Sequence, residues 1–147
     1  MYRDNYTAKK KAAVFTNGEG NVGIELDGEN ALKSGKGHAG LEKLNSGSLT
    51  IADKDKNGKL AAEGSEYGAG IGGGCYGAGN NITVSGDAKL LKVQGGVEDN
   101  IDGAGAGIGD GGSNADGSRI PGAEVEPDIS GLTTGRIEYY APGADME

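Results

Sequence analysis

The chain has 147 residues, enough for one domain with a modest core, and 31 of them are glycine against six tyrosines, one phenylalanine and no tryptophan. That is about three times the usual glycine share of roughly 7%. The net charge of −8, from 22 acidic and 14 basic residues, argues against a nucleic-acid partner, which needs a basic patch to release counterions; no run approaches the roughly 18 apolar residues of a membrane span, so membrane insertion is not expected. Apolar residues fall in alternating runs at repeating positions, the pattern of an ordered β protein and not of low-complexity disorder.

Residues 1–12 read as an N-terminal cap or flank that shields the first open strand edge. Thr7 is placed to cap a short helix over Ala8–Ala13, with a strand as the alternative. Lys9, Lys10 and Lys11 form a solvated basic flank. Met1-Tyr2-Arg3-Asp4 is not followed by an apolar signal region, which leaves a cytosolic chain or a mature segment with a start methionine supplied. From Ala13 the pattern changes. Val22, Ile24 and Leu26 alternate with polar residues as a half-buried strand, Asp27-Gly28 turns the chain, Ala31-Leu32-Lys33 forms a second strand, and His38-Ala39-Gly40-Leu41 closes the set.

The same order recurs twice. Leu49-Thr50-Ile51, Lys59-Leu60 and Gly68-Ala69-Gly70-Ile71 make the second unit; Ile82-Thr83-Val84, Leu90-Leu91-Lys92-Val93 and Gly105-Ala106-Gly107-Ile108 make the third, after the insertion Gly95–Gly103. Leading strands start 27 and then 33 residues apart, a drift that turns absorb while strands keep register. Short strands with no helical period between them point to an all-β fold, a single-domain parallel β-helix (solenoid) of about three to four coils, in which Ile24, Ile51 and Val84 stack as an aliphatic ladder. Residues 13–112 form the regular coils. The alternating glycines of each corner permit φ > 0 and close approach of neighbouring coils, while Ala69 with Ile71, and Ala106 with Ile108, face inward. A phosphate-loop reading fails, because no Gly-Lys-Ser/Thr and no helix follow. Residues 113–147 form an irregular last coil and tail: Asp116-Gly117 and Ile120-Pro121-Gly122 are turns, Pro127 argues against a central strand, and Ile129 with Leu132 starts a fourth coil. Arg136–Tyr140 is the last strand, with Ile137 and Tyr139 on one face.

The runs Asn21–Asn30, His38–Glu42, Ser48–Ile51, Gly68–Gly74 and Asn81–Gly86 together make residues 13–112 similar to the glycine-rich repeat regions of bacterial cell-surface proteins. That resemblance implies a right-handed β-helix on a secreted or cell-surface protein. Some relatives bind carbohydrate, including a pectin-binding family from cellulose-degrading bacteria.

Function then rests on a few side chains. Asp53, Asp55 and Asn57, with Gly58, space oxygen ligands like the first half of a calcium loop, but the twelfth position is Gly64 where a bidentate carboxylate belongs, so a structural turn competes with calcium. A second acidic group, Glu98, Asp99, Asp102 and Asp110, lies in and after the Gly95–Gly103 insertion, and beside it Gly109–Gly117, with Asp116, is similar to a calcium-binding nonapeptide repeat, for which one irregular copy is poor evidence. Tyr67 and Tyr76 flank the second glycine run and are the candidate carbohydrate platforms, against the plainer role of covering glycine backbone. His38 and Cys75, each the only one of its kind, read as structural. The expected function is a non-catalytic carbohydrate-binding or adhesin module whose partner is a polysaccharide or cell-surface glycan. The alternatives are a structural spacer that self-associates end to end, and a small polysaccharide lyase or hydrolase, which Arg3, Arg119 and Arg136 serve poorly because all three lie outside the regular coils.

Overall fold

The computed structural model of the chain describes residues 4–7, 11–98, 103–115 and 118–143, and it is all-β, with no helix among the described residues. Three parallel sheets carry the regular part. The first holds β1 (Asp4–Thr7), β4 (Glu29–Lys33), β7 (Lys59–Glu63), β10 (Lys89–Gln94) and β14 (Arg136–Tyr140) in that order. The second holds β2 (Val14–Thr16), β5 (Leu41–Lys43), β8 (Ile71–Gly72) and β11 (Ile108–Gly109), and the third holds β3 (Val22–Glu25), β6 (Leu49–Asp53) and β9 (Ile82–Gly86). From β1 to β11 the chain therefore visits the three sheets in strict rotation, one strand in each before returning to the first.

Register follows the apolar pattern, since a slip of one residue would turn the core face outward. In the third sheet Val22 lies opposite Leu49 and then Ile82, and Ile24 opposite Ile51 and then Val84, the ladder and the 27- and 33-residue steps that the alternation predicts. In the second, Val14, Leu41, Ile71 and Ile108 are successive partners. The first pairs Leu32 with Ala62, and Ala62 with Val93. Leu32, Leu41, Leu49, Ile51, Leu60, Ile71, Val84, Leu90 and Ile108, drawn from all three sheets, belong to one buried cluster. β10 carries one residue more than its neighbours between Leu90 and Lys92, so that Leu90 still faces Leu60 and Val93 still faces Ala62.

Asp4–Thr7 forms a strand at the edge of the first sheet, pairing along β4 from Asn30 to Lys33, and Lys11–Ala13, the described part of the stretch expected as a short helix or a strand, are not helical. Ala8, Lys9 and Lys10 lie outside the described residues. The glycine corner is itself half strand, because His38-Ala39-Gly40 and the two Gly-Ala-Gly copies each lead into an inward Leu or Ile that begins β5, β8 or β11. Past Gly112 an antiparallel hairpin, β12 (Ser113–Ala115) with β13 (Ser118–Ile120), branches off; its turn, Asp116-Gly117, lies outside the described residues. The chain then returns. Asp128 and Leu132 bridge Thr83 and Gly86 of β9 in parallel, and β14 pairs with β10 through Leu90 and Ile137, so Ile129–Leu132 does lie alongside the regular strands.

The corner glycines are needed for space. A Cβ on Gly68 would fall on the His38 carbonyl oxygen and one on Gly105 on that of Gly68, while one on Gly70 would lie 2.7 Å from the Gly107 oxygen. Their φ angles are ordinary. The left-handed-side φ falls instead just after each isoleucine, at Gly72 (+135°) and Gly109 (+144°). Main-chain bonds from Gly70 and Ile71 to Ala106 and Gly107 (both 2.9 Å), and from Gly40 and Leu41 to Ala69 and Gly70 (both 3.0 Å), then tie one corner to the next.

The last segment is pinned by a carboxylate. Asp87, buried between β9 and β10, accepts hydrogen bonds through Oδ1 from the Thr134 hydroxyl and from the Thr133 hydroxyl at 2.8 Å. These bonds, Thr134 first, hold its carboxyl below the usual range against the opposing effect of burial.

Two predictions follow from this packing. Gly68→Ala or Gly105→Ala should cost about 2 to 3 kcal/mol as backbone overpacking, lowering the thermal midpoint by roughly 6 to 12 °C in circular dichroism; Gly20→Ala, at an open position, should change stability by less than about 0.5 kcal/mol. Because the Asp87 pKa is lower folded than unfolded, its contribution is complete above about pH 4 and is lost as pH falls through the folded value. Melting midpoints measured from pH 6 to pH 2 should therefore fall more steeply for the parent chain than for Asp87→Asn, and parallel curves would remove this role.

Candidate functional site

The two tyrosines that look equivalent in sequence are placed differently. Tyr67 (φ +73°) follows Glu66 (φ +26°), and this pair of left-handed residues turns its ring inward, leaving it 8% exposed. Its hydroxyl donates to the Glu98 carboxylate, a bond that, with burial and the Glu98 charge, pushes the phenol pKa up and keeps it neutral. A Cβ on Gly103 would meet the Tyr67 ring at 3.3 Å. Tyr67 is therefore not an exposed platform: it covers glycine backbone and anchors the start of the insertion. Asp99 and Asp102 lie outside the described residues, as does Asp116.

Tyr76 is the opposite case. Its backbone is also left-handed (φ +65°), its N–H donates to the Gly112 carbonyl (3.0 Å), and its ring is 67% exposed. Such a conformation costs a non-glycine residue roughly 1 kcal/mol or more and persists only where surroundings impose it. The ring stands at a groove of about 420 Å³ lined also by Gly77, Gly111, Gly122, Asp110, Ser113 and Ile120. Asp110 is fixed by the Gly79 N–H, which donates to Oδ1 (2.9 Å); Oδ2 has no partner among the described residues. Sequence singled out Tyr76 and Asp110 separately. Their meeting depends on the second and third corners being adjacent, with Gly111 donating to the Gly77 carbonyl at 2.9 Å.

The Asp53 loop is built as a turn. Asp53 is 1% exposed, and its two carboxylate oxygens accept from the backbone N–H groups of Asp55 (2.9 Å) and Gly58 (2.7 Å). Asn57 donates to Asp27 Oδ1 (2.6 Å), and Asp55 points into solvent. Among the described residues no group of three or more His, Cys, Asp or Glu is placed to hold a metal ion. His38 Nδ1 lies 3.0 Å from Oε1 of buried Glu42, which also accepts the Ala39 N–H (3.0 Å). Sequence reading did not find Glu42: an offset of four puts side chains on one face within a helix or a strand, whereas here His38 stands in the turn and Glu42 in β5, and the turn brings them together. Cys75 is half-buried with its N–H on the Gly37 carbonyl (2.8 Å), and burial, then the Glu98 charge, pushes its thiol pKa up. Both effects favour the neutral thiol over the thiolate.

A second groove, of about 540 Å³, lies beside β14 and was not anticipated. Tyr139, Tyr140, Glu124 and Glu126 line it. The only signal in the sequence was the pair of adjacent tyrosines, whose alternation gives their faces but not the approach of residues 124–126. No protein-family model, no curated protein and no solved structure matches this chain.

Replacing Asp53 removes two backbone partners from a buried site, so Asp53→Ala should cost about 1 to 3 kcal/mol and the loss should be the same in EDTA as in millimolar calcium. A calcium-dependent rise in the parent midpoint, abolished by Asp55→Ala, would make the loop a cation site instead.

Proposed function

We propose that the chain is a non-catalytic carbohydrate-binding module of a secreted or cell-surface protein, built as a right-handed parallel β-helix. Rotation of the chain through three parallel sheets around one apolar cluster supports the architecture. The observation that carries the binding reading is the exposed Tyr76 ring, held in a left-handed backbone conformation at the mouth of a groove that also presents Asp110 and Ser113. A pyranose stacks its C–H face on such a ring while its hydroxyls donate to the carboxylate and exchange hydrogen bonds with the serine. Glycoside hydrolysis takes a pair of carboxylates across the scissile bond; among the described residues lining this groove Asp110 is the single one.

On a glycan array and on affinity gels cast with acidic plant polysaccharides, the parent chain should be retained, and Tyr76→Ala should weaken retention about tenfold or more with an unchanged melting midpoint. Tyr67→Ala should instead lower the midpoint. Absence of parent retention on every glycan would sink the proposal.

A second reading, end-to-end association with another copy, draws on strands β2 and β3. Each closes one side of its sheet with no further strand beyond it among the described residues, and Val14, Val22 and Ile24 there are only partly buried. Light scattering of the full chain across a hundredfold concentration range should then show growing mass, and a constant monomer mass would dismiss it.

A further inference from the structure

The groove beside β14 has a chemistry different from that of the Tyr76 groove, and it stands independently of the carbohydrate reading. Glu124 is aimed by the main chain: its Oε2 accepts the Gly107 N–H (2.8 Å) and its Oε1 the Ile108 N–H (3.4 Å). Tyr139 packs so closely over Gly107 that a Cβ there would come 2.9 Å from the ring. Burial, and then the charges of Glu124 and Glu126, push the Tyr139 phenol pKa up, so both carboxylates act on that ring's surroundings. No lysine, arginine or histidine among the described residues forms an ion pair with Glu124 or Glu126.

The adjoining ring already holds a cation. Lys92 Nζ sits 5.1 Å from the Tyr140 ring centroid, restrained by its ion pair with Glu63 at 3.3 Å. Aromatic faces attract ammonium groups through their quadrupole, and carboxylates at the same site add charge attraction. Val125 and Pro142 supply apolar wall for alkyl substituents. A sugar could use the rings, but two carboxylates that have no ion-pair partner among the described residues, on a chain of net charge −8, favour a positive guest.

We propose that the groove formed by Glu124, Glu126, Tyr139 and Tyr140 binds an alkylammonium group, with the ammonium between the carboxylates and the ring of Tyr139 and the alkyl part against Val125 and Pro142. The group can come from a free amine or from a lysine side chain of a peptide.

Heteronuclear NMR titration of the full chain tests this, with choline as probe, 3,3-dimethylbutan-1-ol as its neutral isostere, and N-acetyl-lysine amide for the peptide source. Choline should shift the amide signals of residues 107, 124–126 and 139–142 saturably and bind at least about tenfold tighter than the alcohol, a difference of about 1.4 kcal/mol. Saturation by N-acetyl-lysine amide at the same signals would assign the peptide source, and saturation by choline alone the free amine. Glu126→Gln and Tyr139→Leu should each weaken choline about three- to tenfold, with Tyr139→Phe retaining parent affinity. Equal binding of alcohol and choline would overturn the cation site, as would no saturation by either ammonium probe at 50 mM. A Tyr76→Ala chain that loses glycan retention but binds choline as the parent does would separate this site from the other.

Discussion

Main-chain contact between successive passes of the chain sets the terms for everything else in this molecule. Parallel strands lie about 4.8 Å apart, and at the corners the carbonyl of one pass occupies the place where the next would carry a Cβ, as His38 does for Gly68 and Gly68 for Gly105. Side chains are therefore admitted only where they point into the shared core or out to solvent. This accounts for a composition that looks incompatible with a folded core: the corner glycines sit at the contacts between passes, and the buried volume comes from a small set of Leu, Ile, Val and Ala residues repeated at equivalent heights.

Most of the regular part was legible because its signal is local. Alternation in Val22–Leu26, Leu49–Ile51 and Ile82–Val84 fixes which face is buried, and equal faces in successive units fix the pairing of Ile24 with Ile51 and Val84. The corners were half legible. Repetition of Gly-Ala-Gly marks the place, yet whether glycine answers to φ or to crowding depends on neighbours tens of residues away: Gly68 is crowded at an ordinary φ, whereas Gly72 is crowded and at positive φ as well. The antiparallel hairpin and the return of residues 124–143 over the regular strands have no repeat to align, so nothing in their local pattern says what they touch.

The site residues divide along the same line. Tyr67 and Tyr76 have similar flanks, and only the backbone turn at Glu66-Tyr67 sends the first ring under the insertion while the second stays outside. Glu124 and Tyr139 meet over Gly107, which each reaches by a different route after the repeat has ended. Both grooves arise where an irregular segment lies against a regular pass, with glycine backbone and side chains of the irregular segment in the lining of each.

The extra residue in β10 bears on how such a chain tolerates change in length. Leu91 is accommodated as a bulge, and on either side of it Leu90 and Val93 keep their inward orientation against both β7 and β14. Without the bulge every residue after it would swap faces and carry Lys92 into the core. A single-codon insertion is thus absorbed within a strand, between two neighbours that do not share it, and the passes that follow need no compensating change. Length variation in this fold is not confined to its loops.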